Sequence, residues 1–164
     1  MSRAIPVALA VILSATACGN GGPSDPDDGD NAAGTFQASI SGAVSASFTG
    51  PAIFSSIANE GFVLALTSSV SGNPEFVQVV HSDAGRPATG SHVIGEVDGT
   101  AMWGTAFAAG SLIQSTGGTL TITSSGDRLR GSLQFQGTLA ETGGAVTVTA
   151  TFNAICSTFG GVCS

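Results

Sequence analysis

Lysine and tyrosine are absent from this 164-residue chain, and its only side-chain cations besides histidine are four arginines, at 3, 86, 128 and 130. Each absence removes a class of chemistry. Without lysine there is no phosphate loop of the Walker type, no Schiff base and no Ser–Lys hydrolase. Four scattered arginines cannot make the basic stripe that grips a nucleic-acid backbone, so no nucleic-acid partner is expected. Nor do they form a polybasic patch for a membrane surface. Serines are plentiful, yet the Gly-x-Ser-x-Gly turn of a nucleophile elbow occurs nowhere. The apolar run at residues 5–13 is nine residues long, near 14 Å as a helix, whereas a bilayer core of about 30 Å needs about twenty.

What is present begins with Arg3, that apolar run and Ala15-Thr16-Ala17-Cys18. A positive start, an apolar stretch and small residues before a cut site make up a secretory signal, residues 1–17. Because it ends in a cysteine, the segment resembles the lipobox of bacterial lipoprotein signals. The resemblance implies a diacylglycerol thioether on Cys18, cleavage between Ala17 and Cys18, and acylation of the new amine by a fatty acid such as palmitate. Several acyl chains at about 0.8 kcal/mol per buried methylene would hold the protein on a membrane, its first expected partner. Gly19 stands where some lipoproteins carry the Asp that retains them in the inner membrane, so the resemblance points to the outer membrane of a bacterial cell envelope. The alternative is an ordinary secretory signal followed by an incidental cysteine.

Three cysteines are an awkward number for an exported chain. With lipid on Cys18, Cys156 and Cys163 remain as a pair separated by six residues that include Gly160-Gly161. A disulfide closing so short a ring contributes about 2–3 kcal/mol in the chain-entropy model and would pin the C-terminus. The spacing is not that of a Cys-x-x-Cys redox motif.

Residues 18–34 read as the lipidated cysteine and a flexible acidic tether. From Gly19 onward the segment has no large apolar side chain, so it cannot bury enough surface to offset the entropy of ordering. Sixteen such residues span about 20–24 Å as a flexible coil. Repulsion among Asp25, Asp27, Asp28 and Asp30 extends them further. The aspartates do not follow the calcium-loop pattern, which needs a liganding glutamate between flanking helices.

Residues 35–164 form one domain, which holds all nine Phe and the single Trp. Apolar and small polar residues alternate through it, as in Phe36-Ala38-Ile40, Phe62-Leu64-Leu66 and Val146-Val148-Ala150-Phe152. Period two with abundant Thr, Val and Phe predicts strands with one buried face. Gly and Ser clusters punctuate the pattern at Gly50-Pro51, Ser71-Gly72-Asn73-Pro74, Gly117-Gly118, Ser124-Ser125-Gly126-Asp127 and Gly143-Gly144. The predicted strands run near 35–41, 44–49, 52–57, 61–69, 75–81, 91–98, 103–109, 118–124, 129–140 and 145–155. Consecutive hairpins of about nine strands imply an all-β domain, either a mostly antiparallel sandwich or a small closed barrel. A transmembrane barrel is the rival, but one Trp and no Tyr cannot supply its aromatic girdles.

The stretches Phe36-Gln37-Ala38-Ser39-Ile40-Ser41-Gly42, Gly118-Thr119-Leu120-Thr121-Ile122-Thr123, Leu129-Arg130-Gly131-Ser132-Leu133-Gln134-Phe135 and Val146-Thr147-Val148-Thr149-Ala150-Thr151-Phe152 carry a second likeness. In them the domain resembles a loose group of bacterial lipoproteins with all-β domains of unassigned function. That resemblance implies a fold and a location, and no activity.

His81, Asp83, His92, Glu96 and Asp98 fall on two predicted strands joined by residues 82–90. If these strands form a hairpin, His81, Asp83 and His92 can hold zinc, or a histidine can serve as acid, base or member of a triad with distant partners. Otherwise they are solvated hairpin residues. Trp103 is either a stacking platform for a ligand or a core aromatic at a strand start. No cofactor is expected. Two function classes follow: a non-catalytic binding, adhesion or assembly module with an envelope protein or glycan as partner, and a secreted hydrolase or metal-dependent enzyme using the His81/His92 hairpin.

Overall fold

The computed structural model describes residues 33–57, 61–68, 74–82, 84–97, 101–157 and 163. The signal, Cys18 and nearly all of the tether lie outside the described residues, as do Asp83 and Asp98. Every regular element described is a strand: β1 (Thr35–Gly42), β2 (Ala46–Ile57), β3 (Gly61–Thr67), β4 (Phe76–His81), β5 (Gly90–Ile94), β6 (Met102–Ala108), β7 (Ser111–Ser125), β8 (Arg128–Leu139) and β9 (Ala145–Cys156).

Eight of these strands close into a barrel. β1 pairs with β2 and β9, β3 with β2 and β4, β6 with β4 and β7, and β8 with β7 and β9, all antiparallel. β5 is the additional strand. β8 occupies one edge of β7, while β6 pairs with Ser111 to Gln114 and β5 with Gly118 to Ile122 along the other. Beyond the start of β1, β2 and β9 meet in parallel at Ile53–Ile155 and Phe54–Cys156. β1, β3, β5, β6 and β8 begin at one end of the barrel, here the lower end, where β2, β4, β7 and β9 finish.

The two-residue alternation of the sequence becomes inside and outside. On β1, Phe36, Ala38 and Ile40 turn in while Thr35, Gln37 and Ser39 face out. β9 repeats this with Val146, Val148, Ala150, Phe152 and Ala154 inside. Phe54, Phe62, Leu64, Leu66 and Phe135 are fully buried in the same cluster. Each such side chain contributes about 1.5–3 kcal/mol by leaving water. Around β1, β7, β8 and β9 the outer face carries hydroxyls and amides where a transmembrane barrel would need an apolar belt.

Two predicted breaks are not turns. Gly50-Pro51 lies within β2, which joins the separately predicted strands 44–49 and 52–57. Ala52 donates its N–H to Gly34 on the β1 side, so the position of the missing Pro51 donor faces the other way. On that side the β3 pairing begins only at Ala52, and proline costs no ladder bond. Gly117-Gly118 is likewise internal to β7, at a register shift between Ser115 and Gly117. A second shift falls between Ile122 and Ser124. These bulges bend a strand of 15 residues, which begins at Ser111, ahead of the predicted strand at 118–124.

Candidate functional site

The outward side chains of β2, β1, β9, β8 and β7 fall into register as rows. One row reads Thr49, Gln37, Thr151, Ser132, Thr121, and the next reads Ser47, Ser39, Thr149, Gln134, Thr119. Neighbours along a row are about 4.8 Å apart and the rows about 6.8 Å, so each row spans about 19 Å. All of these but Thr49 line an open groove of about 470 Å³. Ala38, Ala150 and Leu133 turn their side chains inward, so they contribute main chain to its floor.

None of the lining residues ionises. Each hydroxyl both donates and accepts, and each Gln amide offers both functions in one plane. Some of this capacity is spent within the sheet: Thr149 Oγ1 donates to Ser39 O at 3.4 Å. The remainder faces solvent, as a grid complementary to an uncharged, hydroxyl-rich ligand.

The opposite side of the barrel differs. Val63, Val80 and Trp103 form one outward row across β3, β4 and β6, and Phe76, Phe107 and Leu112 form another across β4, β6 and β7. Phe76 and Phe107 stack with ring centroids 6.1 Å apart. Trp103 therefore stands half-buried on this apolar flank, neither in the core nor beside the groove.

The expected histidine hairpin does not form. β4 lies between β3 and β6, and β5 pairs with β7. The physical reason is that β6 takes the free edge of β4, while residues 84–90 lead into β5 on the lower part of β7. His81 follows the phase of buried Val77 and Val79 and turns toward the interior between Phe62 and Met102, its Nδ1 buried without a hydrogen-bond partner. His92 lies opposite Leu120, and its Nε2 meets the Ala88 carbonyl at 2.7 Å. Among the described residues no three His, Cys, Asp or Glu are grouped to hold a metal ion. Glu96 is exposed in the turn after β5, and Asp83 and Asp98 fall outside the described residues.

Cys156 and Cys163 are joined as a disulfide with their Cα atoms 6.0 Å apart. The adjoining Ser157 N–H donates to Phe54 O at 2.7 Å, tying the segment after β9 to the lower end of β2. The groove itself escaped sequence reading. The Thr-x-Thr alternations at 119–123 and 147–151 were its only local signal, and their common face depends on strand register. No family model, no curated protein and no solved structure matches this chain.

Proposed function

We propose that this chain is a lipid-anchored protein of the bacterial cell envelope that acts as a non-catalytic binding module, holding a neutral glycan in the Ser/Thr/Gln groove. The uncharged grid of two hydroxyl and amide rows across five strands is the observation that carries this reading. A charged ligand would find no counter-ion among the lining residues, and a flat apolar ligand would leave the hydroxyls unpaired there. A neutral polymer with many hydroxyls meets neither penalty. Its affinity would come from many modest hydrogen bonds, each contributing about 0.5–1.5 kcal/mol net.

The address comes from the N-terminal sequence. Lipid on Cys18 anchors the chain at the outer membrane, and residues 19–34 serve as the spacer. Inhibition of the lipoprotein signal peptidase tests the anchor: a longer, signal-bearing precursor should accumulate, and unchanged processing contradicts it. Calorimetric titration with neutral oligosaccharides tests the site. Saturable binding that the Thr121→Val/Thr149→Val variant weakens supports it, and binding of none of them overturns it.

A further inference from the structure

The lower mouth of the barrel holds a feature that the groove does not use. Residues 84–90 run past this mouth toward β5, and two side chains fasten the segment at consecutive carbonyls. Ser125 Oγ donates to Pro87 O at 3.0 Å, and the His92 ring nitrogen meets Ala88 O at 2.7 Å. Pro87 is itself buried. The residue before it, Arg86, lays its guanidinium over the ring of Phe54, with Cζ 4.8 Å from the ring centroid. Phe54 is fully buried, so this arginine is packed against the core rather than free in solvent.

Arg86 Nε and Nη2 are buried, and among the described residues neither has a hydrogen-bond acceptor. These two nitrogens lie on the same edge of the guanidinium, the side-on fork that takes two oxygens of one carboxylate in parallel. Loss of hydration pushes the Arg86 pKa below the ordinary arginine value, and the negative charge of Asp127 opposes that shift. No ion pair joins the two among the described residues, so Asp127 acts through space. The other described arginines are placed differently: Arg128 and Arg130 both reach Asn153 Oδ1 from the outer face of β8, at 3.3 and 3.4 Å. His81 Nδ1, a third buried nitrogen without a partner, belongs to the same end of the barrel.

We propose that the lower mouth is a carboxylate site, in which the Nε–Nη2 edge of Arg86 grips both oxygens of one carboxylate group. The fastened segment and the Phe54 ring set the guanidinium in place beforehand, which lowers the ordering cost of binding. Charge selects a monoanion. Asp127 already opposes the one guanidinium, so each negative charge on a ligand adds repulsion, and a dianionic phosphate is penalised more than a carboxylate. The carboxylate is either a small free acid or the carboxyl end of a peptide, and both present the same two oxygens. This site is independent of the groove and of the lipid anchor.

Nitrogen-edited spectra of the arginine Nε–H groups in the full-length chain test it. On titration with sodium acetate the Arg86 signal should shift and saturate, while those of Arg128 and Arg130 stay in place. Sodium chloride at equal ionic strength should leave Arg86 unmoved, and inorganic phosphate should bind more weakly than acetate. Arg86→Lys keeps the charge but loses the fork, and should weaken acetate binding by roughly tenfold, the equivalent of one charge-assisted hydrogen bond. A peptide with a free C-terminus that binds more tightly than acetate, while its amide does not bind, identifies the peptide source; equal affinity identifies the free acid. An Arg86 signal that answers acetate no more than chloride overturns the proposal, and this reading needs no variant to fold.

Discussion

Gly104 on β6 faces the ring of Phe135 on β8, and a Cβ at position 104 would lie 2.9 Å from that ring. Phe135 is fully buried, so its ring has no solvent to move into. Gly104→Ala should therefore overpack the barrel and destabilise it by about 1–3 kcal/mol. Thermal denaturation would show this as a midpoint lower by several degrees, and an unchanged midpoint would mean that the ring yields freely.

The same glycine depends on Ser115. The buried Ser115 hydroxyl accepts the Gly104 N–H at 2.9 Å and donates to Gly95 O, fastening the turn after β5 to β6 and β7. Ser115→Ala removes both bonds and orphans a buried donor. We expect a loss of about 1–3 kcal/mol in urea unfolding, with the slope unchanged. Ser39→Ala, on the exposed face of β1, should cost far less.

The disulfide at Cys156 and Cys163 closes a short ring beside Phe54. Replacing both cysteines by serine should lower stability by about 2–3 kcal/mol. Wild-type protein treated with reductant should then unfold at the same midpoint as the variant. A reduced wild type as stable as the oxidised one would assign the disulfide no stabilising role.

The strands were legible because one face of each is apolar, and period-two alternation records that face directly. Phe36-Ala38-Ile40 and Val146-Val148-Ala150-Phe152 were read as buried faces and are buried. Gly50-Pro51 and Gly117-Gly118 misled because glycine and proline serve turns and strand irregularities alike, and only the neighbouring strand distinguishes them. Pairing across long sequence separations was not legible at all. Ser39 and Thr149 share a row although 110 residues separate them. The position of β5 on β7 rather than on β4 depended on competition for edges, which no local pattern encodes. The groove was therefore visible as separate Thr-rich strands and invisible as a site. The Arg86 fork depends on the packing of a loop residue over Phe54, a long-range contact that leaves no periodic trace.

The groove rows predict where a ligand is felt. Thr121→Val and Thr149→Val keep shape while removing hydroxyls from adjacent rows, so together they should weaken glycan binding by roughly tenfold, at about 0.5–1.5 kcal/mol per lost bond. Both side chains face out, so the melting midpoint should change little. A large loss of stability would show instead that these hydroxyls hold the sheet.

The most direct test is a backbone-amide shift map of the chain titrated with neutral malto-, cello- and N-acetylchito-oligosaccharides. A neutral glycan in the groove predicts saturable shifts at Gln37, Ser39, Ser132, Gln134, Thr149 and Thr151, with Trp103 and Phe76 on the far flank unmoved. No saturable shift with any of the three series would contradict it, as would shifts centred on Trp103.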